Sequence, residues 1–174
     1  VDLQDDYAEY EKINATVVSR NVGNWFNTLT INKGTKDGIK ADMIAVLNEG
    51  LVGRVIKTTN YTSEIKLATT SDQNSKVSVG LKNSEGDMTF GLLSGHDPYE
   101  DYLLVEEIID GADIEIGTLV VTSGLSRVFP EGILVGEVSK VAYDEFGLSN
   151  VVYVKSHVNF NDIRYISVLK RKDY

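Results

Sequence analysis

The chain has 174 residues, of which 42% are hydrophobic and 25% charged, a composition that suits one globular domain or two small ones and excludes wholesale disorder. It holds no Cys and two His, which removes disulfide frameworks, thiolate metal sites and cysteine nucleophiles and leaves little for a histidine metal centre. With 17 Lys and Arg against 26 Asp and Glu, the formal net charge of −9 has the wrong sign for gripping a phosphate backbone. The first residue is Val1, with no Met before it, so the sequence reads as an excised or processed segment, and no apolar run within it is long enough to span a membrane.

Leu3, Tyr7, Tyr10 and Ile13 recur at spacings of three and four and predict a helix over 1–13, with Asp2, Asp5, Asp6, Glu9 and Glu11 on its other face. So short a helix is marginal alone in water, so its stripe must pack on the body of the molecule or on a second strand of a coiled coil. After Asn14 the texture changes to short β-type runs, among them Thr16 to Arg20, Thr28 to Asn32, Lys76 to Leu81, Val151 to Val158 and Arg164 to Lys170. Turns that tolerate positive φ separate the early runs, as at Asn32-Lys33-Gly34 and Asp37-Gly38.

An internal echo gives this β pattern an architecture. Ile39 to Val46 matches Ile114 to Val121 in pattern, and each is followed by a glycine-marked strand, Gly50 to Val55 in the first half and Gly132 to Val138 in the second. The expected fold is mostly β: two small barrels with glycines where strands bend sharply, after an N-terminal helix. The first barrel is expected to comprise 14–75 plus 148–170 and the second 76–147. Charge divides along similar lines, because Asn83 to Ser126 contains no Lys or Arg and carries −10, while Lys170-Arg171-Lys172 forms a basic tail.

His96, Asp110 or Asp113, and Ser123 occur in the order of a twin-barrel serine hydrolase, which makes that activity one alternative. The surroundings argue against it, because Thr122-Ser123-Gly124 lacks the glycine pattern that builds an oxyanion hole and His96 falls in the same repeat as Ser123. Asp97 to Asp101 and Asp110 to Glu115 offer hard oxygen ligands, so a calcium-dependent adhesion module is a second alternative, although neither follows a known calcium-loop spacing. His157 reads as an ordinary residue of an alternating run, and no glycine loop of the strand-to-helix type is present to cradle a phosphate. No cofactor is expected.

Asn24 to Gly34, Asp37-Gly38-Ile39, Gly50 to Val55, Val121 to Gly124, Phe129 to Gly132 and Val135 to Val138 together resemble the MreC family of rod shape-determining proteins, in order and from about residue 13 to 170. The resemblance implies a non-enzymatic scaffold of the cell-elongation machinery, anchored by one membrane helix, with a coiled coil and paired barrels outside the bacterial cytoplasmic membrane. It implies no catalytic residue and no metal. The implied partners are MreD, the MreB system, RodA and class B penicillin-binding proteins, and self-association to dimers or filaments is implied as well. Val1 to Lys12 becomes the end of the coiled coil, with Leu3, Tyr7, Tyr10 and Ile13 as dimer contacts. Trp25, Phe26, Phe129 and Pro130 are the candidates for contact with partners, since aromatic side chains contribute disproportionately at interfaces.

Overall fold

A computed structural model describes residues 9–22, 27–70, 77–82, 85–97, 99–109, 113–125 and 130–172. Among them are twelve strands: β1 Tyr10–Val22, β2 Asn27–Ile31, β3 Ile44–Leu47, β4 Gly50–Thr58, β5 Ser63–Leu67, β6 Val77–Lys82, β7 Met88–Asp97, β8 Tyr102–Glu106, β9 Leu119–Thr122, β10 Leu134–Tyr143, β11 Ser149–Lys155 and β12 Tyr165–Arg171. They close into two antiparallel barrels, and the chain divides into one unit of Val1–Thr70 with Val158–Tyr174 and another of Ser71–His157.

The two rings share one connectivity. The first runs β3-β4-β5-β2-β1-β12 and the second β9-β10-β11-β8-β7-β6, so β12, last in the chain, closes the first barrel in the position that β6 holds in the second. The echo read from the sequence falls on equivalent strands. Asp42 and Gly117 both adopt positive φ, +73° and +91°. The N–H of each donates to the carbonyl of Val55 or Val138, whose own N–H donates to Met43 or Thr118. Each glycine-marked strand then bulges within its ladder to its first partner, at Val52 on β4 and at Val135 on β10. Next in the chain come Gly53 and Gly136, where an added Cβ would lie 2.0 Å from the carbonyl oxygen of Lys66 and 2.3 Å from that of Lys155. Only glycine lets the adjoining strand approach so closely, which is the physical content of the repeated motif.

Burial alternates along β7, β8 and β9, whereas β3 and β4 bury consecutive residues. In the first unit Ala15, Leu29, Ile31, Ala45, Val52, Val55, Ile65, Leu67, Ile166 and Val168 form one apolar cluster. In the second, Val79, Leu81, Val105, Val120, Val135, Val138, Val152 and Val154 are all buried.

Two expectations are corrected here. Where residues are described, the N-terminal helix is replaced by β1: Tyr10, Glu11 and Lys12 pair with Arg171, Lys170 and Leu169, while Leu3 and Tyr7 lie outside the described residues. Ile13 and Val17 pack against the first-barrel core beside Ala15. This period of two prevails because β12 supplies a full ladder of hydrogen bonds, which a short isolated helix cannot match. The boundary at 148 also moves. β11 forms a hairpin with β10 and lies against β8, so it belongs to the second barrel, and the chain returns to the first unit only at Val158.

Candidate interaction surfaces

The sequence candidates for protein contact meet different fates. Trp25, Phe26 and Phe129 lie outside the described residues. Pro130 is buried, and its carbonyl accepts a hydrogen bond from the Thr122 hydroxyl at 2.5 Å. Thr122 Oγ1 in turn accepts the Ile133 N–H at 2.9 Å, so Pro130 belongs to a buried tie across the β9–β10 loop rather than to an offered surface. Ile13, partly buried, packs on the first-barrel core, and Tyr10, half-exposed, pairs with Arg171 in β1.

The hydrolase residues are not brought together. His96 Nε2 lies 2.8 Å from Asp101 Oδ1 within its own hairpin. Ser123 donates its hydroxyl hydrogen to Ser78 Oγ at 2.8 Å and accepts the N–H of Leu125 at 3.2 Å. Strand β6 stands between them, and Ser78 pairs with Leu92, four residues short of His96 along β7. Asp110 is outside the described residues. The calcium reading fares similarly: Asp97 Oδ1 accepts the N–H groups of Tyr99 and Glu100 at 2.9 and 3.3 Å, and no group of three or more His, Asp or Glu among the described residues could hold a metal ion. His157 is exposed just past the end of β11.

What the sequence reading missed are two hairpin tips of the second barrel, both built around an aspartate. In the β7–β8 turn Asp97 holds the backbone that presents Tyr99, which is 95% exposed. In the β10–β11 turn Asp144 Oδ1 accepts the N–H groups of Phe146 and Leu148 at 2.9 and 3.0 Å. Its backbone N–H donates to Leu148 at 2.9 Å and its carbonyl accepts from Gly147 at 3.1 Å. This turn holds Tyr143, Phe146 and Leu148 at 56%, 79% and 46% exposure. The signal was present as Asp144-Glu145-Phe146-Gly147, a turn sequence with an apolar residue in its middle. On the first barrel, Tyr61 is exposed but engaged by Lys36, whose Nζ donates to the phenol oxygen at 2.6 Å. Lys66, buried on β5 opposite Arg54, has its ammonium held below the ordinary lysine range, first by lost hydration and then by repulsion from the guanidinium.

With this geometry in hand, comparison with known proteins is specific. The family described as "Rod shape-determining protein MreC, barrel core" matches residues 17–170. The cell shape-determining protein MreC of Listeria monocytogenes is 35% identical over 171 residues, covering 98% of this chain and 57% of its own length. A solved major periplasmic domain from the cell shape-determining filament MreC has a TM-score of 0.83 at 26% identity, over 94% of this chain and 97% of that one. The MreC fold in a complex with penicillin-binding protein PBP2 from Helicobacter pylori has a TM-score of 0.68 at 19% identity, over 94% and 99% of the two chains. The chain therefore spans a little over half the length of its Listeria relative.

Proposed function

The chain belongs to the MreC family of rod shape-determining proteins, and on that premise we propose that it is the extracytoplasmic barrel pair of a non-enzymatic, membrane-tethered scaffold that maintains rod shape by binding cell-wall synthesis proteins. The supporting observation is the pair of closed six-stranded barrels with one repeated connectivity, matched along nearly the whole chain to the family's barrel core. Rigid barrels with side chains fixed on aspartate-held turns suit a protein that positions others. Its proposed partners are class B penicillin-binding proteins, in line with the PBP2 complex of the Helicobacter pylori member, together with MreD, RodA and the MreB system. An outward location agrees with the periplasmic domain solved for a relative. Dimerisation is assigned to the segment before β1, where Leu3 and Tyr7 lie.

Depletion of the protein in its own bacterium tests this reading by microscopy. Cells are expected to lose rod shape and to regain it when the full-length protein is restored, but not when the restored copy lacks both barrels. Rods that persist through depletion would refute the proposal.

A further inference from the structure

We propose that the tip of the β10–β11 hairpin is a docking knob for a protein partner whose surface offers an apolar pocket rimmed by Lys and Arg. Tyr143, Phe146 and Leu148 stand exposed on a turn whose backbone Asp144 ties at four points. Because the turn is ordered before any encounter, little conformational freedom remains to be lost on association, and an aromatic with a leucine beside it is the kind of anchor that dominates an interface.

Charge selects the occupant. The unit Ser71–His157 contains five Lys and Arg against fifteen Asp and Glu, a net −10, and Asp144 and Glu145 sit in the tip itself. A bilayer with anionic headgroups also accepts exposed Phe and Leu side chains, but it would be repelled by this unit. A basic protein surface would be attracted and its encounter steered. The inference rests on the scaffold reading, and the partner it commits to is the extracytoplasmic part of a class B penicillin-binding protein.

The test measures binding of the purified chain to that ectodomain from the same bacterium by interferometry, at 50 and 300 mM NaCl, with phosphatidylglycerol vesicles as a second surface. Phe146→Ser combined with Leu148→Ser is expected to weaken binding at least tenfold while the melting temperature is unchanged. Glu145→Lys, which leaves the apolar side chains in place, is expected to weaken binding at low salt and flatten its salt dependence. Tyr61→Ser on the first barrel is expected to change nothing. Unaltered binding by the double variant overturns the knob and leaves the scaffold reading standing, as does vesicle binding that the double variant abolishes. No binding by the wild type overturns both.

Discussion

At Gly53 and Gly136 the nearest obstacle to a side chain is a backbone carbonyl of the neighbouring strand, which cannot swing aside as a flexible side chain could. Alanine at either position is expected to cost about 3 kcal/mol by urea denaturation, as overpacking against fixed atoms does. At Gly147, where φ is +78° but nothing stands within 4 Å of an added Cβ, alanine should cost about 1 kcal/mol. Equal losses at all three sites would refute the carbonyl explanation. Lys66 supports a pH prediction. Its folded pKa lies below the unfolded 10.5, so the unfolded chain binds the proton more tightly, and the position weakens the fold at neutral pH and less so as pH rises towards 10.5. The melting-temperature difference between Lys66→Met and wild type should therefore shift in favour of wild type between pH 7 and 10; a constant difference would exclude the titration. Gly53 and Gly136 were legible in the sequence because glycine inside a strand pattern has few physical causes, whereas the burial of Lys66 was not, since a lysine between two apolar residues reads as a solvent-facing position.

Thr122 ends β9 and holds the β9–β10 loop through two hydrogen bonds from one buried hydroxyl. Thr122→Val keeps the shape but strands the Pro130 carbonyl and the Ile133 N–H, an expected loss of about 2 to 4 kcal/mol. Thr122→Ser, which retains the hydroxyl, should lose less, and the ordering of the two in a thermal melt checks the assignment. At this scale the sequence misled over Tyr10 to Ile13, the described part of the expected helix that lies in β1. The three-and-four spacing of Leu3, Tyr7, Tyr10 and Ile13 competes with the alternation of Ile13, Ala15 and Val17, and the decision is made by β12, whose Arg171 pairs with Tyr10 across nearly the whole chain. Local periodicity carries no trace of so distant a partner. The same holds for β11: its run was recognised, but hairpin pairing through Asp144 to Leu148 assigns it to the second barrel.

The whole molecule is two copies of one ring, the second inserted before the last strand of the first. Residues 71–157 contain all six strands of the second barrel, so that fragment is expected to melt cooperatively alone. Residues 1–157 lack β12 and leave β1 and β3 without their common neighbour, so this truncation should retain the second barrel's melt and lose the first's. A cooperative first-barrel transition in 1–157 would refute that dependence. The twofold architecture was legible because Asp42 matches Gly117 and Val52 to Val55 matches Val135 to Val138, positions where bulges and positive φ constrain the choice of residue. The exposure of Phe146 and Leu148 was legible only in part: Asp144-Glu145-Phe146-Gly147 marks a turn, but apolar residues beside a strand read by themselves as core.

The position of β12 also sets an order in time. As the chain emerges from its N-terminus, the inserted ring has every strand it needs by Lys155, while the module begun first waits for Tyr165–Arg171. Until that stretch arrives, two unsatisfied sheet edges stand open to any passing strand. Premature termination ahead of Tyr165 should therefore yield a sticky, aggregation-prone product rather than a merely shortened one.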